Sequence, residues 1–468
     1  MDEAKIREIA ERVVRELTQE KPAAPAAARP AGTGIFETPD EAVEAARQAQ
    51  KTYAQSGMEL RKRVVEAMRQ VGRERAQELA DMAVAETKMG RAEHKRTKNE
   101  GAADLSPGVE EIQAQAETDE HGVLIVERAP IGLINAITPT TNPTSTIINN
   151  AIIMLAGGNA VVFSPHPRAA NCCLKTMAYL NEAIVSAGGP PNLLTAVAEP
   201  SLRHASALMK HADVDAVCAT GGGGVVRAVL ESGKKTWAAG PGNPTALVDE
   251  TANLENAARA VIEGASFDNN LLCIGEKACV VVESAADELL RQMTRQGGRL
   301  LRPNELTRLM SAVLTEEGKH CPEMIGQNAS VLLEAAGVRG SSDDLAVLAE
   351  TSADHVLAME EFLTPIVPIV RVRSFEEAVQ VCVQIEGGRG HTAMIHTARM
   401  DRVGEYARAM QVGILVANAP SFVCGGIGGP GFLAMSVAGR TGEGFTRPSH
   451  FTTERRMSLI GGLSLFSG

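Results

Sequence analysis

Aromatic residues are scarce in this chain, at 3% of 468 residues with one Trp and three Tyr. So few rings leave few platforms for stacking nucleobases. The mix favours α/β layers, small-residue helices on β-branched strands, over an aromatic-rich binding module. Positive charge is not in excess either. A formal net charge of −11 argues against nucleic acid or an anionic membrane as partner, because phosphate recognition needs clustered Lys and Arg. Any anionic ligand must be held locally, for example on a helix N-terminus. The eight cysteines form no CxxC pair and show no regular spacing, which argues against a metal knuckle or a disulfide framework. HExxH and EF-hand patterns are missing, and no metal site is expected. The most apolar stretch, TSTIINNAIIMLAGGNAVVF, is interrupted by Asn149, Asn150 and Asn159 and reads as helix, turn and strand rather than a membrane span. The start, MDEAKIREIAERVV, is charged throughout, unlike a secretory signal.

What is present suits two or three domains, since single cores stop growing at roughly 250–300 residues. Residues 1–18 stand apart: Ile6, Ile9, Ala10, Val13, Val14 and Leu17 mark one helical face, with charged residues on the other. EKPAAPAAARPAGTG follows as a linker over 19–34. A short amphipathic helix on a tether either folds back on the body or docks on a partner, and the linker favours docking. From Pro39 to about Glu117 the pattern is helical and strongly charged. Residues 119–139 alternate like a hairpin or pair of strands. Beyond them, short β-branched runs alternate with helices, first through NAVVFSP, NLLTAVA and VDAVCAT, then through TALVDE, KACVVVES, PIVPIVRV and GILVAN. This rhythm predicts parallel sheets with ligands at the carboxyl ends of their strands.

Several segments carry chemistry. ATGGGGVVRAV (219–229) sets Thr220, Gly221 and Gly222 between a strand and a helix, a turn that suits a phosphate although it does not match GxGxxG. SPHPRA (164–169) puts Ser164, His166 and Pro167 at the end of another strand, where a cofactor ribose or phosphate could lie. GGRGHTAMIHT (387–397) delivers His391 from a glycine loop. With His396 five residues on, the pair has no metal-ligand spacing, and His391 is the better candidate for moving protons. FDNNLLCIGEK (267–277) contains Cys273, by itself one thiol among eight.

FDNNLLCIGEK resembles the nucleophile segment of aldehyde dehydrogenases, and its LCIGEK ending looks like the CoA-acylating branch. Across nearly the whole chain the other segments agree in order. ITPTTNPTS (137–145) resembles the family's oxyanion segment, GGNAVVFSPHP its nucleotide-binding strand, ATGG its phosphate turn, and EEFLTPIVP (360–368) its Glu-x-Phe-Gly-Pro segment. A gapless match sets Thr141 at the oxyanion position and Asn142 one further on; Asn142 is the expected donor, Thr141 the alternative. Ser164 stands where many relatives have a ribose-binding Lys, and Leu363–Thr364 replace Phe-Gly while Glu361 remains. TWAAGPGNPTALV (236–248), which includes Gly240, contains no glutamate where hydrolytic members carry their general base.

The resemblance implies two Rossmann-type domains, 35–245 binding NAD and coenzyme A and 246–435 carrying Cys273. It also implies an oligomerisation hairpin at 119–130, a C-terminal oligomerisation segment at 436–468, and a homo-oligomer. Catalysis falls to Cys273, Asn142 and His391, and cofactor binding to Thr141, Ser164, His166, Pro167, Thr220, Gly221, Gly222, Gly240 and Glu361. Without a base for water, the thioester on Cys273 passes to the better nucleophile, a thiol. The closest resemblance is to microcompartment enzymes acting on propionaldehyde or acetaldehyde. Residues 1–18 then look like an encapsulation peptide for shell or core proteins, and the location is a microcompartment lumen in the bacterial cytoplasm. A CoA-dependent semialdehyde dehydrogenase, a reductase of acyl phosphates and a non-catalytic scaffold are the alternatives.

Overall fold

The computed structural model describes residues 34–461 apart from Arg440. The expected helix at 1–18, nearly all of the linker and the end of the tail lie outside the described residues. After β1 (Ile35–Phe36), Thr38 opens the helical region. Its hydroxyl accepts from the Glu41 N–H while the Glu41 carboxylate accepts from the Thr38 N–H, with Pro39 at the first helical position. Four helices follow: α1 (Pro39–Ala54), α2 (Met58–Glu74), α3 (Ala76–Thr87) and α4 (Ala92–Asp104).

The hairpin is β2 (Gln115–Asp119) with β3 (Gly122–Pro130). It starts earlier than the alternation at 119–139 suggested, and the second half of that stretch belongs elsewhere. There β4 (Leu133–Thr138) is buried at all six positions and occupies the interior of the first sheet, as suits a strand covered on both faces. Gly132, at φ +134°, makes the transfer between sheets; a Cβ there would lie 2.1 Å from the Asp215 carboxylate.

The first sheet continues through α5 (Pro143–Ala156), β5 (Ala160–Pro165), α6 (Ala170–Ser186), β6 (Leu194–Val197), α7 (Leu202–Lys210), β7 (Ala216–Thr220), α8 (Gly223–Leu230) and β8 (Lys235–Ala239). Its order is β1-β6-β5-β4-β7-β8, and every pair is parallel. The chain winds outward from β4 in one direction and then the other. This reversal opens a crevice at the carboxyl ends of β4, β5 and β7.

A second parallel sheet runs through β9 (Thr245–Val248), α9 (Leu254–Ser266), β10 (Ala278–Val282), β11 (Gly298–Leu300), β12 (Ala346–Glu350), β13 (Ile366–Val372), β14 (Thr392–His396) and β15 (Ile414–Ala417). The order is β11-β12-β13-β10-β9-β14-β15. Residues 240–244 join the two sheets. After a small β16 (Val437–Ala438) and β17 (Gly444–Phe445) pair, β18 (Thr452–Ile460) returns to lie antiparallel along the whole of β3. Its Met457 and Ile460 stand exposed. Among the described residues no helix is long and apolar enough to cross a membrane.

Candidate active site

One cavity of about 730 Å³ lies between the carboxyl edge of the first sheet and the amino edge of the second. Thr138–Asn142 after β4, Ser164–Pro167 at the end of β5 and Thr220–Gly222 at the end of β7 form one side. Cys273 precedes β10 and Glu361 precedes β13, forming the other. The carboxyl-end rule therefore describes the first sheet and fails for Cys273 and Glu361 of the second, which lie before their strands. The cavity brings together Thr141, Asn142, Ser164, His166, Pro167, Thr220, Gly221, Gly222, Gly240, Cys273 and Glu361. His391 alone among the expected residues is not part of its lining. It lies immediately before β14, behind Cys273. A Cβ on Gly242 would lie 2.8 Å from the imidazole Cγ and 2.9 Å from the Cys273 carbonyl oxygen, so ring and nucleophile loop both pack against a position that has room only for glycine.

The nucleophile loop has an uncommon backbone. Asp268, Asn269 and Asn270 are all left-handed, with φ of 49°, 54° and 62°. Asp and Asn are the non-glycine residues that best tolerate this region, and each side chain here also anchors the turn. The Asp268 carboxylate accepts from the Arg91 N–H at 2.8 Å and from Lys95 at 3.0 Å, and also from Lys98. Asn269 donates to the Gly326 carbonyl and to Asn328, and accepts from Arg91. Asn270 donates to the Glu276 carbonyl and accepts from Lys277, whose ammonium also reaches the Asn270 and Leu272 carbonyls. The spacing of DNN before the cysteine is thus a device for holding it.

Burial pushes the Cys273 thiol up to about 12, with the Glu361 charge adding to the rise; Lys277 and the backbone N–H groups of Cys273 and Ile274 pull the other way. The thiol is protonated in the resting site, and those N–H groups await negative charge on or beside the sulfur. Burial raises Glu361 to about 7, against Lys277, and one of its carboxylate oxygens has no partner. His391 is pushed down to about 4 by burial and, secondarily, by Lys277. Its Nδ1 meets the Thr392 hydroxyl at 2.8 Å and its Nε2 is buried without a partner, so the ring is a neutral imidazole at physiological pH. His396, at the far end of β14, has both ring nitrogens unpartnered and lies away from the cavity.

Asn142 caps α5, and its side chain faces the nucleophile loop. Nδ2 donates to the Thr141 hydroxyl at 3.1 Å and to the Leu271 carbonyl at 3.3 Å, while Oδ1 accepts from Lys98 at 2.5 Å. Lys98 lines the cavity, yet sequence reasoning missed it and its neighbours Lys95 and Asp268. A helix as charged as α4 reads as solvated, whereas Lys95, Lys98 and Asn99 are buried. Glu276 was missed too. Raised by burial to about 7, it accepts from the N–H and hydroxyl of Ser421 and so ties the nucleophile loop to the segment that brings Phe422 and Ile427 into the cavity. Two adjacent charges after the cysteine, just before an otherwise apolar strand, were the available signal.

The cofactor side has bare backbone. Cβ atoms added at Gly222, Gly223 or Gly224 would meet nothing within 4 Å, which leaves the N-terminus of α8 open to a phosphate. Ser164, His166 and Pro167 line the adjoining wall with Leu202 and Met209 from α7. The surface fits an extended dinucleotide or a coenzyme A of similar build.

A protonated thiol at the floor of a cofactor cleft, with amide and backbone donors beside it and a neutral imidazole behind, defines an enzyme that traps carbonyl carbon on cysteine. A sequence profile of the aldehyde dehydrogenase family matches residues 26–432, and the chain belongs to that family. It is 40% identical over 458 residues to the propanal dehydrogenase (CoA-propanoylating) of Salmonella typhimurium, covering 97% of this chain and 98% of that one. It is 40% identical over 433 residues to an acetaldehyde dehydrogenase (acetylating) of the same organism, covering 91% and 92%. The propionaldehyde dehydrogenase of a Clostridium phytofermentans fucose utilisation bacterial microcompartment superposes with a TM-score of 0.91 at 42% identity, covering 92% of this chain and 99% of that one. That enzyme was also solved with one cysteine and with one histidine changed to alanine, positions as far apart in its chain as Cys273 and His391 are here. A Rhodopseudomonas palustris propionaldehyde dehydrogenase, solved with bound CoA and an acylated cysteine, has a TM-score of 0.91 and 39% identity, covering 92% and 99%.

Proposed function

We propose that this protein oxidises a short aliphatic aldehyde, propionaldehyde by preference, to its acyl-CoA with NAD and coenzyme A. The observation that carries this reading is Cys273 in a cavity with an imidazole behind it and no glutamate in the segment 236–248. The similarity to CoA-propanoylating and acetylating enzymes supports it. So does the lining: among the described residues its charged members are Lys98, Lys210, Glu231 and Glu361, with no Arg to hold a carboxylate-bearing semialdehyde. Leu272, Ile274, Phe422 and Ile427 supply apolar wall.

The Cys273 thiol gives up its proton to solvent in the cleft as Sγ attacks the carbonyl carbon, and the π pair moves to oxygen, where the Asn142 amide and the Cys273 N–H stabilise it. Bound nicotinamide supplies the hydride acceptor. As the C=O reforms, a thioester remains on Cys273. His391, held neutral, takes the proton of the CoA thiol; the thiolate attacks the thioester carbon and Cys273 leaves as thiolate. Glu361, Ser164, His166, Pro167, Gly240 and the Thr220–Gly222 turn hold the cofactors, with Thr141 beside the donor amide.

Residues 1–18 dock the enzyme to shell or core proteins and place it in a microcompartment lumen, a reading supported by the microcompartment source of a relative. The β2-β3-β18 sheet, with both outer edges unpaired among the described residues and Met457 and Ile460 exposed, serves as the contact between copies in a homo-oligomer.

With propionaldehyde and NAD alone, the enzyme is expected to release NADH once per Cys273 and then turn over steadily only after CoA is added. Equal steady rates without CoA would exclude acyl transfer. His391→Ala should keep the NADH burst and lose about 10²–10⁴-fold in CoA-dependent turnover.

A further inference from the structure

We propose that Lys98, held by Asp268, is a positioning residue that fixes the oxyanion-binding amide of Asn142; this rests on the acyl-transfer reading above. Asn142 could present either end of its amide to the substrate. A lysine ammonium can only donate, so the 2.5 Å contact from Lys98 Nζ assigns the acceptor oxygen Oδ1 to the α4 side. The amide nitrogen must then point the other way, toward Thr141 and the Leu271 carbonyl, on the loop that carries Cys273. The 3.3 Å bond to Leu271 is the longer of the two, and it is the one an oxyanion replaces.

Lys98 is itself fixed from both sides. Its ammonium shares the Asp268 carboxylate with Lys95, which also donates to the Thr141 carbonyl at 3.0 Å. His94, one turn earlier on α4, accepts from the Asp268 N–H at 2.9 Å. One face of α4 therefore grips the oxyanion segment and the nucleophile loop together, and a shift of either would break the same contacts.

The charges give this arrangement a second effect. Lys95, Lys98 and Asp268 are all nearly inaccessible, at 2%, 2% and 0%, and two ammonium groups share one carboxylate. The excess positive charge is unfavourable in the resting site and becomes favourable when the adjacent carbonyl oxygen turns anionic. Desolvation draws Lys98 down against the pull of Asp268, and Lys95 lowers it further.

The test is a double-mutant cycle on the full-length enzyme, read as the rate constant of the NADH burst with propionaldehyde and NAD. Asn142→Ala should lose about 10²–10³-fold, the usual cost of one oxyanion donor. Lys98→Met should lose roughly 30-fold or more with the aldehyde KM within about threefold of wild type, because Lys98 acts on the transition state and not on binding. In the Asn142→Ala background, Lys98→Met should add less than about threefold, since nothing is left to position. Lys98→Gln, which keeps an N–H donor without the charge, should lie between Met and wild type. It takes the place of Lys98→Met in the cycle if the latter does not fold. Additive losses, or a folded Lys98→Met with a wild-type burst, would overturn the positioning role. A wild-type burst in Asn142→Ala would overturn it together with the oxyanion assignment. Absence of any CoA-dependent turnover in the unmutated enzyme would instead remove the acyl-transfer reading beneath it.

Discussion

Glu361 combines a catalytic setting with a cost to stability. Its carboxyl is raised from 4.5 to about 7 chiefly by burial. Below about pH 4.5 folded and unfolded carboxyls are both protonated. Between there and pH 7 the unfolded chain has lost the proton while the folded one keeps it, so stability falls as pH rises through that window and stays low above it. Glu361→Gln removes the effect without changing shape. It should therefore gain roughly 2 kcal/mol over wild type at pH 8 relative to the comparison at pH 5, measured by urea unfolding. The same offset at both pH values would show that the buried carboxyl is neutralised in another way. Cys273, Asn142 and His391 were legible as types in ordered segments. The assistants Lys95, Lys98, Asp268 and Glu276 were not, because a charge in sequence looks solvated until a neighbouring element covers it. Burial depends on contacts such as Lys98 with Asp268, which lie far apart in the chain.

At the scale of elements, the strand–helix rhythm was readable for runs such as AVVFSP and ACVVV, whose positions are all buried. The three-residue β11 and the loop conformations were not, since periodicity says nothing about a left-handed backbone. The carboxyl-end expectation also failed in an informative way. It follows from the winding of a single sheet, whereas this cleft is shared by two sheets that meet carboxyl edge to amino edge. The left-handed turn Asp268–Asn270 should be energetically separable. Asn269→Ala loses the bonds to Gly326, Asn328 and Arg91 and puts a Cβ-bearing residue without local hydrogen bonding at φ 54°. Asn269→Gly loses the same bonds without the steric penalty. The alanine variant should be less stable than the glycine variant by about 1 kcal/mol, the reverse of the order in an ordinary helix; equal thermal midpoints would mean that the turn relaxes.

Across the whole molecule, β18 is the only partner of the second edge of β3 among the described residues. A chain ending at residue 451 leaves that edge bare and removes the exposed Met457 and Ile460. It is expected to run as a monomer or as aggregates in size-exclusion chromatography with light scattering, where the full chain is expected to run as a defined oligomer. A truncated chain with the unaltered oligomer mass would assign the interface to another face.

The pairing of β18 with β3 also has a meaning in time. During synthesis β3 leaves the ribosome more than three hundred residues ahead of its partner, a wait of roughly 20–60 s at ordinary elongation rates. Through that interval GVLIVERAP offers one open edge to any extended chain nearby. The cavity closes late as well. Met435 reaches Asn149 and Phe422 reaches the pocket only once both sheets have emerged. Catalytic competence therefore waits until residues 422–435 have been made, and the most vulnerable period of this enzyme's life comes before it can turn over its first aldehyde.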